Sequence, residues 1–574
     1  MRERGRLFVV ILLGLLVHAP SLWWGFFSDD YGHQLVLRGD SQHPTMRPFN
    51  LYDFGEAPRP GEESYELGAF PWWTDADWKV RFLRPLASVS LWLDHTLYGE
   101  WAPGYHATGL LLFALLCAAA HALYRRLGLA PGTALCATFL LAVEDGTAFP
   151  VGWVANRNSL VEALLTVLAV LAVLRAPRIR WRTVLLALAL AAGAALSKES
   201  GVVAFALVAL LLYARGRSRE EPLARRGALA AALSALVYFA YLFGAGYGAR
   251  SIFYPTPWGD PVRVLLAGVL LGGSAPIAMA TPFMPDAMFV FPHLAQVFLP
   301  YAAVLTLVFA GAGVIAARRE PRALPFVAGA ALALLPQAGA PISDRLLLVP
   351  MIAFAALLAL WMDAWRARGG MRRLAAWLLF AVAGPISALS CLGRSLQFVD
   401  LGRRLRSVVL DAEVGGSAEG PREALLLNAP SQVAVLTPLT TWYVETEDRG
   451  VRFWPLQLGR RPLAWTRLDA TTFELRTEPE NGDRWLAGPL EGVFLSAEPA
   501  VQAGDTWRTA LFEVEAVETA PWFRTARFRF DMPLDDPRLR FLAWSEGRLR
   551  RIAPPAIGET VEIPRAEPLF ALLP

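Results

Sequence analysis

The sequence predicts an α-helical polytopic membrane domain of about 11 spans over residues 1–395, followed by a small mainly-β water-soluble domain over residues 396–574. Three observations predict it. Apolar runs of ~17–22 residues, the length needed to cross a ~30 Å hydrocarbon core, recur through the first part of the chain. The chain is 55% hydrophobic and only 18% charged, with mean hydropathy +0.38, whereas ordinary soluble domains are about a quarter charged. After Gly393 the texture changes to short alternating segments with frequent Glu, Arg, Asp and Pro.

The expected spans are 7–27, 104–124, 130–149, 158–175, 183–197, 200–215, 227–247, 297–317, 324–341, 346–365 and 373–393. MRERGR before the first run places the N-terminus inside, and that run is too long, and lacks a small-residue cleavage site, for a removable signal. Every arginine-rich loop then falls on the cytoplasmic side, namely RRLG (125–128), RAPRIRWR (175–182), ARGRSREEPLARR (214–226), ARREPR (317–322) and RARGGMRR (366–373). This is the charge bias of cytoplasmic loops, so the net charge of +4 does not point to nucleic acid.

The apolar stretch 262–282 breaks this alternation if it crosses. A re-entrant or interfacial hairpin over 262–296 on the outer face keeps the arginines inside, with the C-terminal domain outside. The long outer loop 28–103 contains LYDFG (51–55) and PWWTDADW (71–78), aromatic stretches that suit interfacial helices at the headgroup level. Cys117, Cys136 and Cys391 lie in apolar segments without metal or redox spacing and read as small core hydrophobes.

Ionisable residues gather at the expected outer ends of spans. Ser28-Asp29-Asp30-Tyr31-Gly32-His33 follows the first, and two adjacent carboxylates there are costly unless they have partners or work. His33 would share a helix face with Asp29. Glu144 and Asp145 form a second acidic pair at the same depth. Arg84, Arg157, Lys198-Glu199 and Asp344-Arg345 stand on the same side. Carboxylates can accept a proton from a hydroxyl nucleophile, and cations can neutralise a departing phosphate. Lys198 is one of two lysines in the chain, kept where a compact point charge differs from a planar fork. The plainer readings are a wet acidic helix cap and a snorkelling lysine paired with Glu199.

The order Asp29-Asp30, Arg84-Pro85-Leu86, GYHATGLLLFALLCAAAHALYRRLG (104–128), WVANRNSLVEALL (153–165), LSKESG (196–201) and SDRLLLVP (343–350) resembles the GT-C superfamily of polyprenyl-phosphate-sugar glycosyltransferases. Within it, the chain is most similar to bacterial relatives of the transmembrane-and-TPR O-mannosyltransferases. The likeness covers roughly residues 5–390. The resemblance implies that Asp29 and Asp30 are catalytic, one acting as general base on an acceptor hydroxyl; Glu144 and Asp145, read from their own position, are further catalytic candidates. The resemblance implies that Arg84, Lys198 and Arg345 lie near the donor phosphate with Glu199 and Asp344 in support, and the outer positions of Arg157 and His33 add them to the phosphate-binding and supporting candidates. Two departures stand out. The family's histidine-containing stretch reads VEDGTAFPVGW (143–153) here, and short segments such as SQVAVLT, GVRFWPL, TFELRT, GVFLSA, ALFEVEAVE and RFRFDM replace the TPR array. Their spacing suggests a small β-sandwich or barrel.

The expected function is an inverting glycosyltransferase moving a sugar from a polyprenyl-phosphate donor to an extracytoplasmic glycan or protein acceptor. The alternatives are a non-catalytic transporter or scaffold on the same fold, and a lipid-linked glycan ligase or polymerase. Transporters favour midplane polar sites and paired repeats; no repeat is visible here. No cofactor is expected, although Asp29, Asp30 and His33 could hold a divalent cation. The arginine-for-lysine bias suggests the cytoplasmic (inner) membrane of a GC-rich bacterium.

Overall fold

A computed structural model of the chain describes residues 2–40, 43, 45–290, 292–416, 420–477, 490–497, 501–519 and 523–569. Among these residues, nine helices are long and apolar enough to cross a membrane. A tenth is formed if Pro131–Val143 and Asp145–Gly152, bent by 55° at their junction, count as one. The expected spans 183–197 and 324–341 are shorter in the structure, as helices Trp181–Ala195 and Leu324–Leu334, the latter followed by a 3₁₀ turn Leu335–Gly339. Proline opens many of the helices, at Pro85, Pro131, Pro222 and Pro261, where its missing N–H costs nothing.

Within the 262–296 segment, Pro261–Ala280 forms one continuous helix. Its small residues let the long helix Pro292–Arg319 lie directly against it. A Cβ on Gly273 would sit 2.7 Å from the Ala302 Cα, an approach only glycine permits. Past its C-terminal end the chain meets the turn at Asp344-Arg345, where Asp286 and Asp344 bond each other.

The expected boundary at residue 395 falls inside a helix. The last membrane helix, Ser387–Leu410, runs unbroken past it, beginning after a π turn at Val382–Ile386 that contains Pro385. The soluble part holds two sheets. Strands β4 (Arg422–Leu426), β5 (Val451–Pro455), β11 (Leu539–Ser545) and β12 (Arg548–Ile552) form a mixed sheet in the order β12-β11-β4-β5. Strand β4 is parallel to both neighbours, and helix Pro438–Thr446 lies in the crossover from β4 to β5, as parallel pairing requires. The second sheet is antiparallel and joins β6 (Leu463–Arg467), β7 (Thr472–Arg476), β8 (Thr506–Arg508), β9 (Phe512–Thr519), β10 (Phe523–Phe530) and β13 (Thr560–Ile563), in the order β13-β6-β7-β10-β9-β8. SQVAVLT and GVFLSA, read from sequence as strands, fall on 3₁₀ turns at Val433–Val435 and Glu491–Phe494.

The expected headgroup-level role of PWWTDADW is corrected by its contacts. Trp72, Trp73 and Trp78 are buried, and their indole N–H groups donate to Leu456, Glu491 and Val493 carbonyls at 3.1, 3.4 and 2.7 Å. Asp75 accepts from the Ser496 N–H at 2.6 Å and its hydroxyl at 2.7 Å. A buried indole needs a polar partner as well as apolar cover, and the C-terminal domain supplies both. Residues 28–103 and the C-terminal domain therefore share one hydrophobic core. The short sheet β1 (Asp53–Glu56), β2 (Lys79–Arg81) and β3 (Gly248–Arg250) ties this loop to the chain after helix Pro222–Gly244.

Candidate functional site

The two carboxylates of the Asp29-Asp30 pair are in different situations. Both begin the helix Asp29–Arg38, after Ser28 at φ +49°. Asp30 is 1% exposed and fully engaged. Its oxygens accept the Phe27 N–H at 3.0 Å and the Ala155 N–H at 2.7 Å, pinning the first helix's exit to the 154–156 turn. Asp29 is half-buried, and among the described residues its carboxylate receives a single long hydrogen bond, from the Ser28 hydroxyl at 3.4 Å. Burial raises its pKa, and the charges of Arg345 and Arg84 pull it back. Asp29 is thus a carboxylate with oxygen lone pairs free to accept a proton, within the field of the Arg345 and Arg84 guanidinium groups.

The cations around it come from three loops. Arg345 forms no ion pair among the described residues; its guanidinium lies 5.5 Å from the centroid of the Trp153 ring, and that indole is fixed by donating to the Phe27 carbonyl at 3.3 Å. Arg84 pairs with Glu199 at 2.8–3.1 Å and lies over Phe82 and Tyr52. Lys198 is buried, donates to the Ser159 hydroxyl at 2.9 Å, and has Glu162 at 3.9 Å; Ser200 holds that carboxylate at 2.7 Å. Burial lowers the Lys198 pKa, and the positive charges of Arg84 and Arg345 lower it further against the pull of Glu162.

A second centre adjoins the first. Arg394, 7% exposed, pairs with Asp145 at 3.2 Å and more closely with Asp286 and Asp344. Asp286 and Asp344 also accept each other's backbone N–H, at 3.1 and 3.3 Å. One guanidinium thereby holds the bend at 143–145, the 286 loop and the turn that presents Arg345. Glu144 is buried at the same bend, where its carbonyl accepts the Thr147 hydroxyl at 2.6 Å. Arg394 and Asp286 were not among the sequence candidates. The signal was present: each is a charge within or beside an apolar segment, which is costly without a partner.

The remaining candidates lie apart from Asp29 or are otherwise bound. Arg157 is 2% exposed; it pairs closely with Asp94 and donates to the Tyr105 carbonyl at 2.5 Å, so its charge is consumed inside the protein. His33 is buried against the Tyr52 and Phe54 rings, and burial pushes its pKa down to about 3, leaving a neutral packing group. Among the described residues no group of three or more His, Cys, Asp or Glu side chains is disposed to hold a metal ion. Asp29, Asp30 and His33 do not form one, and the most closely grouped carboxylates are closed on Arg394.

No protein-family model matches the chain, and no curated protein matches it. Solved structures similar to it include the Archaeoglobus fulgidus oligosaccharyltransferase tethered with an acceptor peptide containing the NVT sequon, at TM-score 0.40 and 11% identity. The same enzyme in complex with Zn and sulfate gives 0.41 and 13%. ArnT from Cupriavidus metallidurans bound to undecaprenyl phosphate gives 0.33 and 13%. Each likeness covers 79% of this chain, with 63% of the oligosaccharyltransferase and 89% of ArnT; the chain spans less than two thirds of the former's length. Similarity at this level leaves the activity to be argued from the site.

Proposed function

We propose that the protein is a GT-C-type glycosyltransferase that moves a sugar from a polyprenyl-phosphate donor to a hydroxyl acceptor outside the cytoplasm, with inversion. The observation that carries this reading is the half-buried, nearly unbonded Asp29 carboxylate within the field of the guanidinium of Arg345, which has no ion pair among the described residues, with Arg84 and Lys198 adjacent. In this reading Asp29 takes the proton of the acceptor hydroxyl as its oxygen attacks the anomeric carbon. The bond from that carbon to the phosphate oxygen breaks, and the charge left on the polyprenyl phosphate is met by Arg345 and Lys198. Arg84, held by Glu199, keeps the field positive. Asp30 and Arg394 act through position, one fixing the backbone around Asp29 and the other the turn that carries Arg345.

The test is transfer of radiolabelled sugar from polyprenyl-phosphate donors by the purified full-length protein. Transfer by wild type and its loss in Asp29→Asn supports the reading. Wild-type rates in Asp29→Asn sink it.

A further inference from the structure

On the membrane side opposite the Arg394 centre, the helices leave a groove that the transfer reaction does not use. It has a volume of about 320 Å³. Its walls are apolar, with Val10, Leu135, Phe139, Met362 and Phe380 from four different helices. Its mouth is polar and ordered. Thr133 donates to Asp363 at 2.9 Å, Arg366 donates to the same carboxylate at 2.8 Å, and the Arg366 guanidinium lies 5.6 Å from the Trp377 ring centroid. Arg366 lines the groove, and Arg368, Arg372 and Arg373, all exposed, belong to the same 366–373 turn between the helices that carry Met362 and Phe380.

We infer that this groove seats an acyl chain of an anionic phospholipid from the leaflet on the arginine-rich side, with its headgroup phosphate among these four arginines. Two features separate it from ordinary annular lipid contact. The cavity is recessed between helices, and Asp363 offsets only part of the positive charge at its mouth, so a phosphate completes the neutralisation. Trp377, under the Arg366 guanidinium, is of the residue type enriched at the boundary between acyl chains and headgroups.

The experiment uses the full-length protein in nanodiscs containing phosphatidylglycerol with a diazirine at the end of one acyl chain, irradiated and mapped by peptide mass spectrometry. Phosphatidylcholine with the same chain is the matched control, and diazirine-bearing polyprenyl phosphate is a competitor arm. The expected result is label on the peptides holding Leu135 to Phe139 and Phe380, stronger with phosphatidylglycerol than with phosphatidylcholine. Arg366→Glu should cut that label about five-fold or more, the factor carried by one basic side chain at an anionic surface. Cys136→Phe, which fills the groove wall and leaves the charges alone, should cut it for both lipids. Equal label on the outward residues Leu229, Leu236 and Val237 would overturn the inference, as would preferential capture of polyprenyl phosphate.

Discussion

Replacing Asp29 and Asp30 by asparagine, one at a time, should separate two carboxylates that stand side by side in sequence. At Asp30 the amide can accept only one of the two backbone N–H groups, from Phe27 and Ala155, and turns its own NH₂ toward the other. The loss is one charge-assisted hydrogen bond, about 1.5–3 kcal/mol, with a buried N–H left unsatisfied. At Asp29 the substitution disturbs just the long 3.4 Å hydrogen bond from the Ser28 hydroxyl, so stability should stay within about 0.5 kcal/mol. The catalytic consequences run the other way. Removing a general base costs ~10²–10⁴ in rate, so Asp29→Asn should fold like wild type and transfer almost nothing. Asp30→Asn should unfold at lower temperature and keep measurable transfer in its folded fraction. Sugar transfer and intrinsic-tryptophan thermal unfolding, read on the same preparations, decide the matter. If Asp30→Asn abolishes transfer with an unshifted melt while Asp29→Asn works normally, the reasoning is refuted.

Three further expectations follow the same logic. Burial raises the Asp29 pKa and lowers that of Lys198, so the base is lost on acidification, and the phosphate-binding charge on alkalinisation, earlier than ordinary side chains would give. The pH–rate profile should be narrowed on both sides, and Lys198→Arg should push the alkaline limb outward, since a guanidinium stays charged; an unmoved limb would remove Lys198 from the account. Arg345→Gln should raise the donor KM with an unchanged melt, whereas Arg157→Gln should cost about 3–5 kcal/mol by stranding buried Asp94, read as a lower melting temperature; the reverse pattern would reassign the two. Arg394→Gln should destabilise by a similar ~3–5 kcal/mol, because Asp145, Asp286 and Asp344 lose their common partner; thermal unfolding with no shift would contradict the ion-pair geometry.

Much of the helical architecture was legible because hydrophobic length is set by the bilayer itself. The candidate site was half legible. Asp29, Arg84, Lys198, Glu199 and Arg345 could be read as a group from their shared depth; Arg84 pairs with Glu199, and the charges of Arg84 and Arg345 reach both Asp29 and Lys198. The sequence offers no means of distinguishing Asp29 from Asp30, or Arg345 from Arg157, because the difference lies in whether a backbone N–H or a buried carboxylate is within reach. The tryptophans of PWWTDADW misled for a related reason. An indole at a lipid headgroup and an indole under a β domain have the same local sequence, and the partners at Leu456, Glu491 and Val493 lie hundreds of residues away. The parallel β4–β5 pair was likewise hidden, since the short segments look the same in an antiparallel sandwich.

That separation has a consequence for how the molecule is made. Trp78 and the Val493 carbonyl that receives its N–H are 415 residues apart. At a synthesis rate of about 5–20 residues per second, the ribosome needs roughly 20–80 s to close that gap. Throughout it, Trp72, Trp73 and Trp78 stand uncovered while most of the helices are still being made. The nascent chain carries an exposed aromatic surface for most of its own production. Its yield in a cell should therefore depend on whatever holds that surface until the last quarter of the protein emerges.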